Sequence, residues 1–117
     1  MPLIKIDESK LLELKASEAA DKVQKRLDDF ARSRRYSNTD SLSKYKDITD
    51  EEIAALPAEE QAVVARYRAE CRYLVLKIAQ TWAVLERIES EVQAGTRPMP
   101  TGYAEIEAEL PVLEWPL

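Results

Sequence analysis

Apolar positions in this chain form two long stripes at helical spacing, with a polar stretch between them and a proline-punctuated apolar tail behind. In the first stripe Leu12, Ala16, Ala19, Val23, Leu27 and Phe30 recur at steps of three and four, which puts them on one face of a helix over about residues 7–33. Glu18, Asp21, Lys22, Lys25, Arg26, Asp28 and Asp29 supply the solvated opposite face. Asp7 is the candidate cap, although Lys10 in the fourth place leaves the capping box incomplete. Met1 to Ile6 reads as a short extended arm.

Arg35 to Asp50 is rich in Ser, Asn, Thr and Asp and reads as a connection, with Leu42 and Tyr45 as its large apolar anchors on a helical turn begun by Thr39 or Asp40. Thr49-Asp50-Glu51-Glu52 is a capping box, followed by Ile53 to Leu56, and predicts a short helix over 50–56. Pro57 either ends that helix or starts the next.

The second stripe is the stronger one. Val64, Tyr67, Cys71, Leu74, Ile78, Thr81, Leu85, Ile88 and Val92 alternate steps of 3 and 4 without a break, a heptad seam whose one polar member is Thr81. Val63, Val75, Trp82 and Val84 broaden it toward the middle. A helix over 58–94 would be roughly 55 Å long, more than a compact domain of this size spans. Part of it must project or pack on another chain. Gly95 supplies the left-handed stop. Thr101 then caps a short helix over 102–109, and 110–117 forms an extended apolar strap anchored by Val112, Leu113 and Trp115.

Composition supports an all-α reading. Two glycines in 117 residues is low against a usual frequency of about 7%, and the chain is 45% hydrophobic and 33% charged. We therefore expect a single helical domain over 1–117, a long helical hairpin with short helices and an extended apolar C-terminal tail. The net charge of −5 argues against nucleic acid as a partner, since phosphate binding needs a positive face. No stretch reaches the roughly 18 apolar residues of a membrane span. The start, MPLIKIDESK, lacks the pattern of a secretion signal, and the single cysteine forms no internal disulfide, so the expected compartment is the cytoplasm.

Candidate chemistry is sparse. With no histidine, the commonest general base and metal ligand is missing. Glu105, Glu107 and Glu109 invite a metal or glycosidase reading, but Glu105 and Glu109 share a helix face that Glu107 leaves, and a solubilising face is the favoured one. Cys71 occupies an a position of the seam and reads as a buried structural thiol. Lys25, Arg26 and Arg32 to Arg35 make a basic patch diluted by Asp28 and Asp29. No glycine loop for phosphates is present. The reading is non-enzymatic, with no catalytic residue, metal ligand or cofactor. For the seam two readings stand side by side: packing on the first helix, and a homo-oligomer through the long helix.

The segment RLDDFARSRRY, Arg26 to Tyr36, and the stretch from Arg66 to Pro116 resemble a group of small phage and prophage proteins from the tail-fibre region of tail gene clusters. The shared features are "RLDxFA", an aromatic ahead of a "V.AGxRPxPT" stop, and a closing "LPxLxWP". They fall here on Arg26, Leu27, Asp28, Phe30, Ala31, Tyr36, Trp82, Val92, Ala94, Gly95, Arg97, Pro98, Pro100, Thr101, Leu110, Pro111, Leu113, Trp115 and Pro116. Arg35 stands where the pattern has glycine before Tyr36, and the segment 37–61 carries a capped helix of its own. The resemblance implies a phage tail morphogenesis protein, a tail-fibre assembly chaperone that presents Trp82, Tyr103, Val112, Leu113 and Trp115 to a tail or tail-fibre protein in the host cytoplasm. A structural tail adaptor retained in the virion is the rival expectation. A small acidic modulator of a host protein is the third.

Overall fold

The computed structural model describes residues 8–39 and 45–116, with side chains of the first helix from Leu14 onward. The Met1–Ile6 arm, the Asp7 cap, the Leu12 side chain, the Leu42 anchor and the turn at Asp40 lie outside the described residues. The elements are α1 (Glu8–Arg32), α2 (Asp50–Ala54), α3 (Ala58–Gln93) and α4 (Tyr103–Glu107), and no strand occurs among the described residues. The fold is all-α.

Helices α1 and α3 run antiparallel. Ala19, Val23 and Leu27 of α1 pack on Ile88 of α3, while Ala31, at the other end of α1, meets Cys71 and Leu74. Every member of the α3 seam, Thr81 included, is buried or half-buried. The Thr81 hydroxyl reaches that position by donating to the Lys77 carbonyl of its own helix at 2.6 Å. The second face of the inner core comes from α4 and the tail through Ile106, Leu110, Tyr103 and Leu113.

The N-terminal turns of α3 run past the end of α1 and find other cover. Ile53 of α2 is buried, the Tyr45 ring lies 5.7 Å from that of Tyr67, and Arg68 donates to the Ile48 carbonyl at 3.1 Å. The molecule is consequently a rod of 76 × 24 × 20 Å. Its radius of gyration is 19.3 Å, against about 13 Å for a compact domain of this length.

The ends of the helices follow local chemistry. At α2 the Thr49 hydroxyl accepts from the Glu52 amide, and the Glu52 carboxylate accepts from the Thr49 amide, closing the capping box. Pro57 is the N-cap of α3, where its missing amide hydrogen costs nothing. Gly95 ends α3 with φ 76°; its amide donates to the Val92 carbonyl and that of Thr96 to Glu91, a Schellman motif. At α4 the expected cap is displaced. Gly102 holds the cap position without a side chain to offer, and Thr101, one residue too early, donates through its hydroxyl and amide to the Glu105 carboxylate at 2.7 and 3.2 Å. After Glu107 the amides of Glu109 and Leu110 bond three residues back, tightening the turn ahead of Pro111.

Candidate functional site

The most elaborate side-chain arrangement forms where α1 ends. The amides of Arg35 and Tyr36 donate to the carbonyls of Arg32 and Ala31 at 3.1 and 3.2 Å, a second Schellman motif, here with Arg35 itself in the left-handed region at φ 72°. This reversal turns the Tyr36 ring inward, against Ala31, Cys71 and Leu74. The Tyr36 hydroxyl donates to Glu70 Oε2 at 3.2 Å. Glu70 is buried at 3% exposure and also faces Arg34 at 3.4 Å and Arg66 at 3.6 Å. Burial, reinforced by the Glu70 charge, pushes the Tyr36 phenol well above its ordinary value.

The tail closes over this corner. The Trp115 ring stacks on Phe30 with centroids 4.2 Å apart and planes 12° apart. Tyr36 and Tyr73 flank it at 6.1 and 6.3 Å, and the Arg34 guanidinium carbon lies 5.6 Å from its centroid. The indole Nε1 donates to Ser33 Oγ at 2.9 Å, while that hydroxyl donates to the Phe30 carbonyl at 2.6 Å. Two further bonds hold the backbone: Arg26 donates to the Pro111 carbonyl at 3.1 Å, and the Glu114 amide donates to the Tyr73 hydroxyl at 2.9 Å. Residues 111–116 form neither helix nor strand.

The five expected partner anchors therefore differ in what they touch. Trp82, Tyr103 and Leu113 are half-buried against the inner core, and Trp115 is half-buried in its aromatic cradle. Val112 is 73% exposed. The structure brings together Trp115 and Phe30, which are far apart in sequence, and keeps Trp82 and Tyr103 away from that corner.

The acidic cluster near the end is engaged structurally. Glu109 accepts from both Arg97 nitrogens at 2.5 and 3.2 Å and faces Arg87 at 3.5 Å; the Arg97 bonds hold its carboxyl below the usual range. The Thr101 bonds do the same for Glu105. No group of three potential metal-ligating residues occurs among the described residues. Cys71 is fully buried, and burial raises its thiol above the ordinary value, which disfavours a thiolate. The basic patch is likewise spoken for: Asp29 pairs with Lys25 at 2.8 Å and with Arg32.

A pocket of about 280 Å³ opens at the other end of the rod, floored by Leu85, Ile88, Val92 and Ile106 and rimmed by Lys15, Glu18, Lys22 and Glu89. Lys15 donates to the Pro100 carbonyl across it at 3.0 Å, and the Lys22 ammonium lies 5.6 Å from the Tyr103 ring centroid. Its rim is charge-balanced and its floor apolar.

Comparison with known protein families, curated proteins and solved structures found no match. Sequence reading did not single out Glu70, Ser33 or Tyr73 for the cradle. The available signal was weak: Glu70 occupies a g position beside the seam, where a charged residue is ordinarily solvated.

Proposed function

We propose that this chain is a non-enzymatic protein–protein interaction protein, and that it acts as a tail-fibre assembly chaperone in phage tail morphogenesis. The observation that carries the interaction reading is the rod itself. A 76 × 24 × 20 Å rod presents long side faces for a partner to lie along; the exposed large apolar residues among those described, Leu14, Val63, Val75, Leu76 and Val112, stand singly along it and form no patch of their own. The phage setting rests on the resemblance of the Arg26–Tyr36 and Arg66–Pro116 stretches described above. No helix of the described residues is long and apolar enough to cross a membrane.

In this reading the rod lies along a fibre protein and covers apolar surface until the fibre oligomerises. Co-expression with the fibre protein tests it. Increased fibre solubility and an isolable complex are expected, and an unchanged soluble fraction with no complex would end the proposal. Mass spectrometry of purified virions separates the chaperone from the adaptor: a chaperone is absent from the particle, whereas an adaptor is present at fixed stoichiometry.

A further inference from the structure

We propose that the cradle of Phe30, Ser33, Tyr36 and Tyr73 is a recognition site for an extended, proline-flanked tryptophan segment of a partner polypeptide, and that Pro111–Pro116 is its intramolecular occupant. This inference rests on the reading that the chain acts by protein contact, but on no particular fibre partner.

The occupant defines the ligand chemistry. Pro111 and Pro116 bracket the segment, fix their own φ near −65° and bias Leu110 and Trp115 toward extended backbone, so part of its conformational freedom is lost before it docks. Docking of proline-constrained backbone on an aromatic-lined groove is a recurrent mode of peptide recognition, because little conformational entropy remains to be lost. The cradle reads three features at once: the indole face through Phe30, the indole N–H through Ser33 Oγ, and one backbone amide through the Tyr73 hydroxyl.

The cradle residues also have contacts within the body, apart from those to the tail. Phe30 lies on α1 and Tyr73 on α3. Tyr36 is held by Glu70, and the Ser33 hydroxyl is oriented by its own bond to the Phe30 carbonyl. The occupant is held by the Phe30 stack, by the Arg26 bond to the Pro111 carbonyl and by Leu113 against the inner core, and its remaining polar bonds are open to water. Its bonds to Ser33 and Tyr73 lie at exposed positions, where water replaces them on release, and Val112, Glu114 and Pro116 face solvent. Release exposes an aromatic site on the body and a tryptophan on the tail.

Tethering sets the competition. A short flexible link gives the tail an effective concentration on the order of millimolar, so a segment in trans binds the intact protein far more weakly than a variant whose tail lacks the indole. The test uses the full chain with Trp115→Ala and the capped peptide Val-Leu-Glu-Trp-Pro carrying 5-fluorotryptophan, followed by fluorine NMR. The variant is expected to bind the peptide at least ten-fold more tightly than the intact protein does, and an unlabelled competitor with alanine for tryptophan to displace the labelled peptide from neither. Absence of binding to a variant that keeps its helical circular dichroism would overturn the proposal.

A second measurement covers a variant that fails to fold. In the intact chain labelled with 5-fluorotryptophan, unlabelled peptide at several millimolar is expected to shift the Trp115 resonance toward its solvent-exposed position. A Trp115 resonance that does not move would equally overturn the proposal. A concentration-dependent dimer of the intact chain, lost in Trp115→Ala, would support it with the tail of a second copy as the partner segment. Neither measurement involves the fibre protein, so failure of the chaperone reading and failure of this one are distinguishable.

Discussion

Replacing Arg35 by glycine should stabilise this protein. Arg35 has φ 72°, the one positive value at a non-glycine residue among the described residues, and it is held there by the paired amide bonds that end α1. A side chain in the left-handed region costs roughly 1–2 kcal/mol through the clash of Cβ with the backbone. Glycine removes that cost but brings extra freedom to the unfolded chain, worth about 0.5–1 kcal/mol in the opposite sense. The side chain itself is exposed, so its loss weighs little. The net expectation for Arg35→Gly is a gain of about 0.5–1 kcal/mol, or a rise in Tm of about 2–6 °C for a chain of this length.

Two variants calibrate the experiment. Arg35→Ala keeps the Cβ and so should leave stability within a few tenths of a kcal/mol. Gly95 has φ 76° and open space where a Cβ would stand, so Gly95→Ala measures the backbone cost alone and should destabilise by about 1 kcal/mol. Urea unfolding followed by circular dichroism reads all three. Gly95→Ala destabilising while Arg35→Gly gives no gain would refute the argument, because the two positions share one geometry.

Other predictions follow from the same contacts. Tyr36→Phe leaves a Glu70 oxygen without its buried hydroxyl donor and should cost about 1–3 kcal/mol in urea unfolding, with the helical signal retained. Thr81→Val exchanges a fully buried hydroxyl for a methyl of similar size, and should raise stability by about 0.5–1 kcal/mol because the Lys77 carbonyl sits within the helix ladder already. Leu27→Ala opens a void in the fully buried inner core and should cost about 2–5 kcal/mol. The pH profile should fall at both ends. The depressed Glu105 and Glu109 carboxyls contribute stability that is present above the ordinary glutamate value of 4.5 and lost as the pH drops below it; Glu109→Gln should flatten this acid limb. The raised Tyr36 and Tyr103 phenols contribute stability present below their ordinary value of 10.0 and lost as the pH climbs through it. A Tyr36→Phe variant with an unaltered alkaline limb would contradict that assignment.

Much of the architecture was legible in the sequence because it is local. The 3-4 alternation from Val64 to Val92 marks the inward face of α3, the Thr49 capping box starts α2, and Gly95 stops α3, each through interactions within a few residues. The same locality made Thr101 misleading: a good capping residue stands one place early, and the Glu105 carboxylate takes its hydroxyl instead.

What only the tertiary structure decided is which distant surfaces meet. Hydrophobic patterning is blind to that choice, since burial rewards any apolar contact equally. Nothing in the order of residues tells that Trp115 stacks on Phe30 or that a g-position Glu70 is buried under Tyr36, whereas the Arg35 reversal is local and falls where the resembled pattern carries glycine. The first two depend on the antiparallel register of α1 on α3. Once that register brings the end of α1 beside Cys71 and Leu74, the Arg35 reversal, the Glu70 bond and the tryptophan cradle are assembled together at one corner of the rod.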